Sequence, residues 1–415
     1  MGDEPKSDLY ASRLAVRFYE NGRPFLGSLV HPASVPISPE VASVVSALWD
    51  RADRRPAAER LGARPGVPDE PVRSMVVRRL RDGGLLVPAS LDEEASWVDR
   101  QRGELGPVPR VDQVELTNAC PFTCRFCPRG LGQMHRPVGH LDLGLLAEIA
   151  AQVAHLPARK PFGLHHFGDP LLHPDPAGAV RVVRRAGLEP ELSLNPILLK
   201  EPMAEALLEA GIGVLIVSMD GLDTPTLHAM RGKAAGRFED VERNVEKLIE
   251  LAARMAPPPT VMISMVATTL NRHQWGLLFE RYQRPDLPFL TPVVRLLEDF
   301  GEPGIAPLGV RRLRMLCACP YQTVSILWDG TVVPCCHDYD GRVPLGDLRR
   351  QSLEEVWKGE AAVRLRERLA THRLEPDEPC AHCAWRPDRY LAEDEVADTD
   401  AWTPALWPDG PFPPR

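Results

Sequence analysis

Three cysteines crowd the stretch NACPFTCRFCPRG at residues 118–130: Cys120, Cys124 and Cys127, spaced C-x3-C-x2-C, with Phe126 beside the last. Thiols this close on one loop are suited to holding metal. A closed zinc site would need a fourth ligand nearby, and His135 could supply it. A 4Fe-4S cluster normally takes four thiolates, and one held by three leaves an iron free to bind a substrate or cofactor. The other six cysteines lie far downstream, with Cys317, Cys319, Cys335 and Cys336 in CACPYQTVSILWDGTVVPCCHDYDG and Cys380 and Cys383 in EPCAHC.

The chain that must position these thiols has 415 residues, 44% of them hydrophobic and 26% charged, enough to bury a full core over two or three domains. Nine cysteines, an odd number in two clusters, argue against a secreted disulfide framework and for metal binding in a reducing compartment. The first residues, MGDEPKSDLY, lack a basic and then apolar leader, and no later apolar run approaches a membrane span, so a cytoplasmic protein without membrane contact is expected. A net charge of −8 without a basic stripe speaks against nucleic acid as a partner.

Three parts separate by pattern. Residues 1–88 suggest a winged-helix-like domain. Two short strands flank Asn21-Gly22, a helix capped by Ser38 with Pro39 in its first turn carries Val41, Val44, Val45 and Leu48, and a second carries Val72, Met75, Val76 and Leu80 up to Gly83-Gly84. LLVPA would then form the wing, and residues 89–109 read as a linker. From 110 to 305, strand patterns alternate with helices: VDQVELT, PFGLHHFG, EPELSLN, GVLIVSMD, TVMISMVATT and LTPVVRLLE. Six such units imply an α/β fold with a parallel sheet curved into a partial (β/α)6 barrel, whose functional residues lie at the C-terminal strand ends. Asp142 and Asp175 are expected to cap helices, and Gly187 and Gly211 to end them. Residues 306–390 hold a hairpin at Asp329-Gly330 and a helix capped by Ser352; residues 391–415 are an acidic, proline-rich tail.

The cysteine loop directly after the first barrel strand, with Phe126 before its last cysteine, resembles the signature of the radical SAM superfamily. The resemblance implies a 4Fe-4S cluster on Cys120, Cys124 and Cys127 and S-adenosylmethionine on the open iron. The activity implied is hydrogen abstraction by a 5′-deoxyadenosyl radical, with a reducing partner such as flavodoxin or ferredoxin. FGDPLLHPD resembles the segment that meets the S-adenosylmethionine amino group, with Gly168, Asp169 and Pro170 matching and Phe167 standing where a glycine is common. Ser193 and Asn195 match ribose and carboxylate contacts. Ser218 and Asp220 end the fourth strand, and Arg231 matches an arginine that pairs with the carboxylate, a fork suited to that anion.

Residues 306–390 resemble the SPASM or twitch extension, with the spacing G-x4-C from Gly330 to Cys335 and the phrase LGDLRRQSLEEVW. That likeness implies one auxiliary 4Fe-4S cluster on Cys319, Cys335, Cys380 and Cys383, with Cys317 able to replace Cys319 and structural zinc on the same thiolates as the alternative. Cys336 and Cys317 or Cys319 remain spare, each either a small buried hydrophobe or a hydrogen-atom donor. The N-terminal part resembles the PqqD-like peptide-recognition domain. Two functions are therefore expected: tailoring of a carbohydrate-type intermediate by epimerisation or dehydrogenation, as in antibiotic biosynthesis, or maturation of a ribosomal peptide held by its leader. His165, His166, Glu298, His337 and Asp338 are candidates for binding the substrate.

Overall fold

A computed structural model of the chain describes residues 9–11, 15–20, 23–28, 31–36, 38, 41, 44, 48, 57, 61, 69–88, 105–106, 108–155, 161–268, 270–296, 317, 319–370, 373–375 and 379–382. The chain divides into two compact units, one of residues 1–104, 309–318 and 367–415, the other of 105–308 and 319–366.

In the first unit, β2 (Ala15–Glu20), β3 (Arg23–Ser28) and β4 (His31–Pro36) form an antiparallel sheet in that order. Glu20 pairs with Arg23; Asn21-Gly22, the expected turn between them, lies outside the described residues. The backbone amide of Val41 donates to Ser38 Oγ, the expected helix cap. Helix α1 (Glu70–Asp82) ends at Gly83, and β5 (Leu86–Pro88) then pairs antiparallel with β1 (Leu9–Ala11). Val76 and Leu80 join Val35, Val41, Val44, Leu48 and Leu85 in a closed apolar core, whereas Met75 is exposed, one position off the buried stripe. Pro39 lies outside the described residues.

The second unit holds the barrel. β7 (Phe162–Gly163), β8 (Pro190–Leu194), β9 (Val214–Ser218), β10 (Thr260–Ala267) and β11 (Leu290–Leu296) form one parallel sheet in sequential order. The first strand, β6 (Arg110–Val114), runs beside β7, where a Cβ on Gly163 would lie 3.2 Å from the Asp112 carbonyl. Every one of the six strands expected from the sequence is present, the second reduced to two residues. Parallel register turns Leu192, Leu194, Leu215, Val217, Val261 and Ile263 to one face, all at most 2% exposed, while Ser193, Ser218 and Ser264 take the other. Burial of each such aliphatic side chain is worth about 1.5–3 kcal/mol, so the apolar face fixes the register against a one-residue slip.

The helices that cover the strands begin where their caps predict. Asp142 Oδ1 accepts from the Leu145 amide at the start of α2 (Leu143–Val153), and Asp175 Oδ1 from Gly178 at the start of α3 (Pro176–Arg185). Helix α4 (Glu201–Glu209) follows β8, and α5 (Thr224–Arg231) and α6 (Phe238–Ala253) follow β9. Gly187 and Gly211, at φ +79° and +87°, provide the left-handed stops after α3 and α4.

A second sheet grows from the free side of β6. β12 (Thr323–Ile326) runs parallel to it and turns through Asp329-Gly330 into β13 (Thr331–Val333), followed by β14 (Gly346–Asp347). Gly330, at φ +85°, makes the predicted hairpin possible. Ser352 and Glu355 form a reciprocal capping box at the expected helix Leu353–Lys358. The downstream cysteine segment Cys335-Cys336 is thereby joined, through one continuous sheet, to the strand that delivers the upstream cysteine loop.

Candidate active site

The residues at the C-terminal ends of β6 to β9 converge around the cysteine loop. Main-chain bonds hold that loop against α5: the Thr123 amide donates to the Arg231 carbonyl (3.1 Å) and the Arg125 amide to the Met230 carbonyl (3.2 Å). Inside the loop the Cys127 amide donates to the Cys124 carbonyl (3.3 Å). Two glycines permit this closeness. A Cβ on Gly130 would stand 2.3 Å from the Cys124 carbonyl oxygen, and one on Gly232 would strike Thr123 Oγ1 at 2.0 Å.

Cys124 is buried and Cys120 and Cys127 half-buried. Burial pushes the Cys124 thiol up to about 12 and the Cys120 thiol up to about 11, with neighbouring anionic groups adding to the effect. A cationic partner favours the thiolate form that ligation needs. Among the described residues no three Cys, His, Asp or Glu side chains converge on one point as a single ion demands. Thiolates of a 4Fe-4S cluster bind separate irons and need no such convergence.

Gly168 and Asp169 follow β7 as the sequence predicts, pressed against the loop. Gly168 is at φ +153°, and a Cβ there would meet the Thr117 carbonyl at 2.1 Å and the Asn118 Cα at 2.8 Å. The Asp169 amide donates to the Ala119 carbonyl, next to Cys120. Gly168→Ala should cost at least about 3 kcal/mol or displace the loop, because the clash is with backbone. A thermal melt and the iron content of the reconstituted variant measure the two outcomes.

Asp169 makes two bonds to main chain. Its Oδ1 accepts from the Leu171 amide (3.0 Å) and its Oδ2 from the Asn195 amide (2.8 Å), so the carboxylate ties the end of β7 to the end of β8. Burial raises its pKa to about 6 despite these bonds. Asn195 is better placed to receive a ligand: Oδ1 accepts from the Ile197 amide, and Nδ2 is buried with no partner. A buried amide donor left open costs about 1–3 kcal/mol unless something fills the site. Ser193 and Ser218 lie half-buried on the inner face of β8 and β9.

Arg231 and Asp220, both expected at the cofactor site, pair with each other. Arg231 Nε donates to Asp220 Oδ2 (2.5 Å), while Asp220 Oδ1 accepts from the Val266 amide (2.7 Å). Arg231 Nη1 points at Cys124 Sγ (3.8 Å), and its guanidinium lies 5.7 Å from the Phe126 ring centre. The guanidinium thus backs the cysteine loop with positive charge, which suits thiolates carrying negative charge.

On the other side of the loop lie residues that pattern reading passed over. Glu115, fully buried just past β6, accepts from Arg136 Nη1 (2.9 Å) and Nη2 (2.8 Å) and from the Trp328 amide (3.1 Å). Burial works against its ionisation, but His166 and Arg136 together hold its carboxyl below the ordinary range. The only sequence signal for it was a charged residue within the strand pattern VDQVELT.

The histidine pair after β7 divides. His166 reaches the downstream cysteine segment, its Nε2 donating to the Cys336 carbonyl (2.9 Å). His165 sits 4.0 Å from Glu191 on β8, and burial together with Arg295 lowers its pKa to about 4. Asp338 caps its own turn, accepting from the Arg342 and Val343 amides at 2.8 Å each; His337 is half-buried beside it.

Cys335 and Cys336 occupy a bend and turn after β13, closed by the Asp338 amide donating to the Cys335 carbonyl (3.3 Å). The chain at these two cysteines is thus turned rather than extended. Cys319 opens the short helix Cys319–Gln322. Cys317 and Cys380 belong to the first unit and are half-buried. Cys383 and Glu298 lie outside the described residues.

Comparison with known proteins agrees with this arrangement. Residues 114–280 match the Radical SAM superfamily, and residues 317–384 match SPASM, an iron-sulfur cluster-binding domain. The chain is 24% identical over 337 residues to a tungsten-containing aldehyde ferredoxin oxidoreductase cofactor-modifying protein of Pyrococcus furiosus, covering 70% of this chain and 90% of that one. It is 28% identical over 290 residues to a PqqA peptide cyclase of Ruegeria pomeroyi (62% and 75%). It is 21% identical over 277 residues to an S-adenosyl-L-methionine-dependent 2-deoxy-scyllo-inosamine dehydrogenase of Niallia circulans (65% and 91%). Among the described residues no helix is long and apolar enough to cross a membrane.

Proposed function

We propose that this chain, a radical SAM enzyme with a SPASM extension, abstracts hydrogen from a carbinol C-H of a carbohydrate-type intermediate and inverts that carbon, with Cys336 as hydrogen donor. The observation that carries the reading is the 2.9 Å bond from His166 to the Cys336 carbonyl, which sets a cysteine outside the proposed ligand set beside the end of β7. Inversion needs a donor on the face opposite to abstraction.

In this reading Cys120, Cys124 and Cys127 hold the 4Fe-4S cluster, with Gly168 and the open Nδ2 of Asn195 facing S-adenosylmethionine, Ser193 and Ser218 lining its site and Arg231 backing the thiolates. Cys319 or Cys317, with Cys335, Cys380 and Cys383, holds one auxiliary cluster. When bound, the cluster and S-adenosylmethionine supply a 5′-deoxyadenosyl radical. Cys336 Sγ-H then gives its hydrogen atom to the substrate carbon. The thiyl left on Cys336 regains one electron and one proton from solvent and an external reductant, such as flavodoxin or ferredoxin, so the net change in substrate is redox-neutral.

Peptide maturation is the second reading. Its support is the PqqD-like pattern of residues 1–88, the likeness to a PqqA peptide cyclase, and a sheet whose outer strands among the described residues are β2 and β4, edges to which a peptide strand could be added. Oxidation of a carbinol, in line with the dehydrogenase likeness, is the redox variant of the first reading.

The fate of deuterium separates them. Reduced enzyme, S-adenosylmethionine and a sugar or aminocyclitol in deuterated buffer should yield 5′-deoxyadenosine and a product of unchanged formula carrying one solvent deuterium. Loss of two hydrogens without deuterium would replace inversion by dehydrogenation. Turnover of a long peptide alone, abolished on deleting residues 1–88 while S-adenosylmethionine cleavage persists, would establish the second reading instead.

A further inference from the structure

We propose that Glu115, Arg136 and His166 form a clamp that fixes the position of the Cys335–Tyr339 turn relative to the upstream cysteine loop, and so sets where Cys336 points. The three come from segments that straddle that loop: Glu115 enters it, Arg136 leaves it, and His166 follows the next strand, β7. Their side chains are 0%, 10% and 1% exposed. From this one buried group two donors reach the turn. Arg136 Nε donates to the Tyr339 carbonyl (2.7 Å), and His166 Nε2 to the Cys336 carbonyl (2.9 Å). His166 Nδ1 meanwhile stands 3.5 Å from Glu115 Oε1.

Both contacts grip main chain, so they register the path of the turn rather than any side chain upon it. Glu115 is the hub that orients the two donors, and its link to the Trp328 amide adds the hairpin that carries the turn. A buried ion pair is a poor device for stability alone, since apolar side chains of equal volume serve as well or better. Its directional bonds are what a turn needing a fixed heading requires. The contact from His135 Nδ1 to Asp340 Oδ2 (2.7 Å) links the same two segments, but the imidazole is 80% exposed and adds little to the bond that Asp340 Oδ1 already accepts from the His135 amide (2.8 Å).

The clamp concerns position, and it does not depend on the chemistry assigned to Cys336. Holoenzyme is labelled anaerobically with iodoacetamide and the rate at Cys336 read by peptide mass spectrometry, together with the ratio of 5′-deoxyadenosine to product and the iron content. His166→Phe keeps the volume but removes the donor. It should speed labelling of Cys336 about tenfold, the effect of losing one buried hydrogen bond on local opening, and raise the ratio while iron is unchanged. Glu115→Gln should act in the same direction. His166→Gln, which can donate to the same carbonyl, should return both readouts to within about twofold of wild type, a rescue that a space-filling role would not show. His135→Ala should change neither. Unchanged labelling in both His166→Phe and Glu115→Gln, equal acceleration at every cysteine, or Cys336 unreactive in all variants would overturn the clamp. A clamp response without any epimer would leave it standing and reject the proposed reaction.

Discussion

Replacing Cys120, Cys124 and Cys127 together with alanine should halve the iron of the reconstituted protein and abolish cleavage of S-adenosylmethionine. Two 4Fe-4S sites imply about eight irons and eight sulfides per chain in the wild type, and about four of each in the variant. The loss of cleavage should be complete rather than graded, because a cluster held by three thiolates has no spare ligand once all three are gone. The fold should survive. The loop is held by main-chain bonds to α5 and by the Asp169 and Glu115 contacts, none of which needs a thiol. Iron and sulfide analysis, the visible spectrum and 5′-deoxyadenosine yield read the result. A wild type that binds about four irons and retains zinc would show that the second cysteine group is a zinc site, while leaving the first assignment intact.

The first site was legible because its chemistry is local. Three thiols within eight residues and a strand before them need no long-range knowledge, and the six strand patterns reported their own burial through alternation or apolar runs. Caps were equally local: Asp142, Asp175 and Ser352 act on amides three residues away. What the sequence could not reveal were partnerships across long separations. Arg231 and Asp220 each look like ligand contacts in isolation, and only the fold shows that they meet. Asp169 likewise joins amides at two strand ends. Glu115 and Arg136 carry no motif, since their value arises from a turn some two hundred residues further along. Pattern reading identified reactive types and missed the polar residues that hold them in place.

Cys336→Ala should retain both clusters and form 5′-deoxyadenosine but yield no epimer. Abstraction removes hydrogen from one face of the carbon, and the resulting substrate radical must take hydrogen from the other face for inversion. An S-H bond is weak enough to supply it. Alternation along an extended segment would have separated Cys335 and Cys336 onto opposite sides, but the chain at this point is a turn, so that argument does not apply. The His166 bond to the Cys336 carbonyl replaces it: the residue is anchored beside the end of β7 by its own backbone. In the alanine variant that anchor remains, because a carbonyl accepts whatever the side chain. The radical should then be quenched from the original face, giving back substrate, or persist long enough to be trapped, while S-adenosylmethionine continues to be consumed. A fall of at least about 10³-fold in epimer formed per 5′-deoxyadenosine is expected, since the proposed hydrogen donor is gone. Cys317 is the reserve donor. Wild-type epimerisation by Cys336→Ala with loss in Cys317→Ala would move the role to that residue, and wild-type rates in both would end the thiol-donor mechanism and favour an oxidative reaction at the same carbon.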